Sequence, residues 1–174
     1  MKIKLFTNPI LRQKATEVKE FDPSLKALVD TMTEVMYREE GIGLAANQIG
    51  DSRSVCVIDS SEPDANGVRN KPRVFINPKI TAATSEFVKI DESCLSIPGV
   101  FAQTERHREL TVVYNTIEGH QVEEILKDLD AIAMQHEVDH LEGRLFIDML
   151  GPMKKNLVLE KCKKFLKAKS RGMA

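Results

Sequence analysis

The chain of 174 residues has no tryptophan, two tyrosines and only three cysteines. Cys56, Cys94 and Cys162 are an odd number with no close pairing, which argues against a disulfide framework and for a reducing compartment. A conspicuous cysteine is then a thiolate ligand or a nucleophile. No apolar run approaches membrane-spanning length, and the opening MKIKLFTNPI lacks the hydrophobic stretch and small-residue pattern of a signal peptide. These absences predict a soluble, cytoplasmic protein with no membrane contact. Repeats and low-complexity linkers are missing too, so the length fits one domain, and 42% apolar residues suffice for a sizeable core. A net charge of −1 gives no reason to expect DNA as a partner. The charge is nevertheless segregated: from Met153 onward there are eight Lys or Arg against Glu160 alone. That tail either solvates a terminal helix or offers a surface to an anionic partner such as RNA.

Asp22-Pro23 is a helix start, and Leu25, Leu28, Val29, Met32, Val35 and Met36 form an apolar stripe ending near Arg38. The glycine-bounded segment GIGLAANQIG follows. Next come short β-like runs, SVCVID at 54–59 and RVFIN at 73–77, separated by the turn-rich stretch 62–70, and then EFVKI and LTVVYN. A helix is expected from Asp128 or Asp130, either of which could cap it, to near Gly143. A last helix spans about residues 153–168, with Val158, Leu159, Cys162, Phe165 and Leu166 on one side. The expected fold is a single α+β domain over 1–174, with antiparallel strands around a central metal-binding helix and one helix towards each end.

The central helix carries the chemistry. Residues 136–140 read His-Glu-Val-Asp-His, and side chains four apart share a helix face, so His136 and His140 can reach one ion while Glu137 flanks it as a proton carrier. Leu129, Ile132 and Ala133 precede them at helical spacing, which predicts that both histidines face the core. Two neighbouring buried imidazoles need polar partners, and a shared metal satisfies both.

Two histidines leave a catalytic metal one protein ligand short. A third histidine six residues after His140 is excluded, because Phe146 stands there. Glu160 is available on the last helix, although it sits among lysines. Cys94 lies in ESCLSIPG after a strand-like run, with polar neighbours Glu92, Ser93 and Ser96 that do not suit a merely buried thiol. A Cys-His-His set would leave a fourth position open, as in a Lewis-acid hydrolase. GIGLAA matches a dinucleotide-binding pattern, but that pattern must follow a strand and open a helix, whereas here it follows the helix end MYREE. A tight loop is the simpler account of its glycines, and Gln48 on such a loop can donate a hydrogen bond to a developing oxyanion.

Taken together, GIGLAANQIG, ESCLSIPG and QHEVDHLEG resemble the three signature motifs of the peptide deformylases, which remove the formyl group from the N-terminal methionine of nascent chains. Motif order, the separation of Cys94 from His136, the opening NPILRQKATEV and the basic terminal helix fit across nearly the whole chain. The resemblance implies Cys94, His136 and His140 as metal ligands, Glu137 as general base and acid, and Gln48 with the Leu95 N–H as the oxyanion hole. It implies one divalent ion, Fe2+ in the cell with Zn2+ or Ni2+ accepted, and a methionine pocket of Ile42, Gly43, Ile90, Leu129, Ile132 and Ala133. The implied partners are a formyl-methionyl nascent peptide and, through the basic helix, the ribosome. Three positions depart from the pattern: Ser93 and Asp128 where glycine is usual, and Phe101 where many members have arginine. Ser93 puts the loop geometry at Cys94 in question, Asp128 reads as a helix cap, and Phe101 bears on peptide preference. Two other readings stay open: a glutamate-zincin peptidase using Glu160, for which Cys94 would be dispensable to metal binding, and a non-catalytic metal- or ribosome-binding module derived from a deformylase.

Overall fold

A computed structural model describes residues 1–172. Helix α1, Pro23–Arg38, begins where Asp22 accepts a hydrogen bond from the Leu25 N–H at 3.0 Å, with Pro23 in its first turn. All six stripe residues are buried. They pack on β1 (Gly43–Ala45) and β2 (Val55–Ile58). Strands β3 (Arg73–Ala83), β6 (Glu109–Asn115) and β7 (Gln121–Lys127) extend the sheet in the antiparallel order β1-β2-β3-β6-β7. Strands β4 (Phe87–Cys94) and β5 (Ile97–His107) form a separate hairpin. Helix α2, Asp128–Leu141, lies between sheet and hairpin, and α3, Pro152–Ser170, packs on β5. The α+β architecture and its three helices match the expectation.

Three particulars differ from the sequence reading. β5 and β7 are additional strands: Pro98-Gly99 reads as a turn but lies inside β5, with Gly99 at φ +74°. β7 is a charged edge strand in which Leu126 alone is buried, so it has almost no apolar signal. GIGLAANQIG is not a plain loop, since it forms β1 and then a 3-10 turn over Ala46–Ile49.

The stripe on α2 also changes meaning. The core side is Ala131, Met134 and Leu141, packed on Cys56, Ile58, Phe75 and Leu126. Leu129, 42% exposed, half-buried Ile132 and half-buried His136 lie instead on a side open to a groove. Neither Asp128 nor Asp130 caps the helix: Lys127 holds the cap position, and no side chain makes the cap hydrogen bond. Asp128 has φ +49°, a left-handed conformation that favours glycine and is tolerated by aspartate, and its carboxylate pairs with Arg108 at 2.8 Å. Ser93 is not among the residues with positive φ; it sits at a bulge in β4, exposed and extended. The question over Cys94's backbone therefore falls away.

A 3-10 turn over Phe146–Met149 connects α2 to α3. Its Asp148 accepts hydrogen bonds from Arg12, from Lys155 at 2.6 Å and from the Leu145 N–H at 2.9 Å. Burial opposes its ionisation, but these donors outweigh burial and lower its carboxyl from 3.8 to about 2. A lowered carboxyl stabilises the fold above its ordinary value, and that contribution fades as pH falls towards its folded value. Asp148→Asn is expected to cost about 1–2 kcal/mol at pH 7, with the deficit shrinking below 3.8 towards about 2. Urea midpoints measured from pH 7 down to the lowest pH at which the chain folds check this, and a deficit independent of pH would rule the charge out.

Candidate metal centre

The donors come from two elements. One turn of α2 separates His136 from His140, and Cys94 sits at the tip of the β4–β5 hairpin. Cys94 Sγ lies 3.2 Å from His140 Nε2, and the two histidine Nε2 atoms are 3.2 Å apart. All three donor atoms fall within 4.8 Å of one another. Zinc binds thiolate at about 2.3 Å and imidazole at about 2.0 Å, which puts tetrahedral donors about 3.3–3.5 Å apart. The set fits a divalent ion. Burial disfavours a charged His136, yet Cys94 and Glu92 outweigh it and hold that ring well above the ordinary histidine value. Burial and the neighbouring His136 charge push His140 well below it.

Behind His136 stands Glu92. Its Oε1 accepts the His136 Nδ1–H at 2.5 Å, which turns Nε2 towards His140 Nε2 and the donor cluster. Thr104 Oγ1 donates to Glu92 Oε2 at 2.6 Å, and Arg106 donates to both carboxylate oxygens at 2.7 and 3.0 Å. Arg106 continues to Asp139 on α2 at 2.7 Å. Burial would raise the Glu92 carboxyl, but His136 and Arg106 hold it well below the carboxylate range. The sequence reading treats Glu92 only as a polar neighbour of Cys94. Its position two residues earlier on a strand, hence on the same face, is the signal that finds it.

Gln48 is fixed by its other end. Oε1 accepts the Ala45 N–H at 2.9 Å, leaving Nε2 directed at Ser96 Oγ, 3.2 Å, and Cys94 Sγ, 3.7 Å. The neighbouring Asn47 donates to the His140 carbonyl, tying this segment to α2. Glu137 is 3% exposed, and its Oε2 has no hydrogen-bond partner among the described residues. Burial pushes its carboxyl up to about 7, near the operating pH that suits a proton carrier. Its Oε1 occupies the space over Gly43, where an added Cβ would stand 2.3 Å away.

A groove of about 730 Å³ opens over this centre. Ile42, Gly43, Ile90, Leu129, Ile132 and Ala133 all line it, with Gln48, Cys94, Leu95, His136 and Glu137. His140 lies deeper, 1% exposed. Sequence reasoning had no sign that Phe165 and Lys169 of α3 also reach the groove, because that depends on how α3 docks. Glu160 does not come near: it lies on the outer side of α3, 61% exposed and paired with Lys163. Cys56 is a core thiol in β2, and Cys162 is buried in α3.

The model of one family, Polypeptide deformylase, matches residues 1–156. The chain belongs to that family. It is 45% identical over 162 residues to a peptide deformylase of Syntrophobacter fumaroxidans, covering 93% of each chain. A peptide deformylase of Bartonella tribocorum is also 45% identical, over 94% of this chain and 91% of that one. Among solved structures, a peptide deformylase from Legionella pneumophila superposes with a TM-score of 0.88 at 36% identity, covering 98% of this chain and 97% of that one. One from Ehrlichia chaffeensis gives 0.89 at 32% identity, with 97% and 98% covered. The clearance at Gly43 makes its own test within this family. Gly43→Ala is expected to reduce deformylation about 100-fold or more by displacing Glu137, while metal content is kept and the thermal midpoint moves by a few degrees. Normal turnover would show that Glu137 does not need that space.

Proposed function

We propose that this deformylase hydrolyses the N-formyl group of methionine at the start of newly synthesised polypeptides, releasing formate, at the Cys94, His136 and His140 centre. The observation that carries the assignment is Glu137: a buried carboxylate with one oxygen free of partners, beside the three donors and facing the groove. A purely structural metal site has no use for such a group. The bound ion supplies Lewis acidity, lowering the pKa of water to about 7 and polarising the formyl carbonyl. Glu137 accepts the proton as water attacks the formyl carbon, and it returns that proton to the amine nitrogen as the C–N bond breaks. Gln48 Nε2 and the Leu95 N–H donate to the formyl oxygen while negative charge develops there. Ile42, Gly43, Ile90, Leu129, Ile132 and Ala133 receive the methionine side chain, an unbranched thioether suited to an apolar lining.

Thiolate and imidazole donors accept several first-row ions, so availability in the cell decides among them. Fe2+ is the proposed native ion, with Zn2+ or Ni2+ as substitutes. Iron-loaded protein prepared without oxygen is expected to release formate from a formyl-Met-Ala peptide. Glu137→Ala should lose at least about 100-fold in rate and keep its metal, whereas Cys94→Ala should lose the metal. Formate release by Glu137→Ala at the parent rate would sink the assignment.

The outer side of α3 supports a second element of the reading. Lys161, Lys164 and Lys167 are exposed there, while Val158 and Cys162 hold the helix to the body. We infer that this basic side rests on ribosomal RNA, which brings the centre to the emerging chain. Co-sedimentation with ribosomes should weaken steeply with salt and be lost when those three lysines become glutamates. Binding unchanged by the triple substitution would refute it.

A further inference from the structure

The backbone beside the two oxyanion donors is held from a distant part of the sequence. The 3-10 turn over Ala46–Ile49 satisfies two of its own carbonyls, since those of Ala46 and Asn47 accept the Asp51 and Gly50 N–H groups at 3.1 Å. The carbonyl of Gln48 instead accepts the Lys4 N–H at 2.7 Å. Two residues on, the Phe6 N–H donates at 2.9 Å to the Ser96 carbonyl, at the tip of the β4–β5 hairpin and next to Leu95. Gln48 and Ser96 are both buried, where an unpaired carbonyl is costly. Side chains fasten the segment at either end: Ile3 packs against the cluster of α1, β1 and β2, and Phe6 against that of β5 and α3. Between them the Lys4 side chain lies over Gly50, where an added Cβ would stand 2.8 Å from Cε. That close approach needs the missing side chain of Gly50, which also has φ +95°.

We propose that residues 3–6 form a strut that positions the oxyanion hole, with the Lys4 N–H setting Gln48 and the Phe6 N–H setting the Leu95–Ser96 turn. The proposal rests on the deformylase reading, in which Gln48 Nε2 and the Leu95 N–H act on the same formyl oxygen. Those donors belong to separate elements, a turn after β1 and the tip of a hairpin, and they stabilise an oxyanion only when both point at one place. The direct tie between the elements is the 3.2 Å contact of Gln48 Nε2 with Ser96 Oγ, and a substrate oxygen drawing on Nε2 competes for it. The strut supplies a second tie that leaves both donors free. Neither Lys4 nor Phe6 lines the groove, so both are positioning residues that act through Gln48 and Leu95. A donor displaced by about 1 Å loses up to about 100-fold in rate, and the loss falls on kcat because the charge develops only in the transition state.

The test replaces single backbone amides by esters in the full chain, which removes the N–H and keeps the side chain. For iron-loaded protein acting on formyl-Met-Ala, an ester at Lys4 or at Phe6 is expected to lower kcat about 10- to 100-fold, with KM within about twofold of the parent and metal content unchanged. An ester at Leu5, whose N–H has no protein acceptor among the described residues, should leave kcat as it is. In Gln48→Ala the ester at Lys4 should lower kcat no further, because the group it positions is gone. Parent-like kcat with both esters, an equal loss at Leu5, or an undiminished loss in Gln48→Ala would overturn the proposal. Solvent exchange of the Gln48 Nε2 protons, followed by NMR in the zinc-loaded protein, reads the strut without turnover: it should quicken with the ester at Lys4 and not with that at Leu5. Unchanged exchange would sink the strut alone, whereas failure of the parent chain to release formate would overturn the deformylase reading and leave the exchange result to decide on the strut.

Discussion

The carboxylate of Glu92 joins the parts of this protein that chemistry requires to meet. It lies on β4, is gripped by Thr104 and Arg106 of β5, and accepts a hydrogen bond from His136 of α2. Arg106 then returns to α2 through Asp139, one residue before His140. The hairpin and the helix are thus tied twice, once through the Glu92 carboxylate and once through the Arg106 guanidinium. Each member of such a chain is costly to remove alone, about 3–5 kcal/mol, because its partner is left charged and buried. Gln135 reinforces the same seam with paired hydrogen bonds to the backbone of His107, 3.0 and 2.8 Å. Cys94 stands at the proper distance from the histidines because everything behind it is held.

Much of this was legible in the sequence, and the reasons are local. His136, Glu137 and His140 announce themselves because helical spacing converts directly into a shared face. α1 and the inner side of α3 follow from apolar periodicity, and the Asp22-Pro23 start is set by capping chemistry. The strands β5 and β7 were hidden for opposite reasons: one contains a Pro-Gly pair that imitates a turn, and the other is charged at an edge where nothing rewards apolar residues. The stripe through Leu129, Ile132 and Ala133 has the periodicity of a core but faces a groove. Periodicity reports an apolar environment, and the wall of an apolar groove is one. Arg106 and Phe165 lay beyond reading because their roles depend on how separate elements dock.

Helix α3 combines two kinds of surface. Val158 and Cys162 seat it against the body, Phe165 covers Gly99 at the edge of the groove, and Lys161, Lys164 and Lys167 face outward. One element therefore borders both the groove and the basic exterior. Its attachment runs through Asp148, which gathers Arg12 near the start of the chain and Lys155 on the helix itself.

No residue separates β7 from α2. Lys127 ends the strand, and Asp128, with its left-handed backbone, already begins the helix. With no connecting loop there is no slack to absorb a rotation of α2 about its own axis. The azimuth of both imidazoles is inherited from the sheet, eight residues upstream of the first of them, and a lengthened connection at that point would dephase the two histidines from Cys94 without altering any of the three.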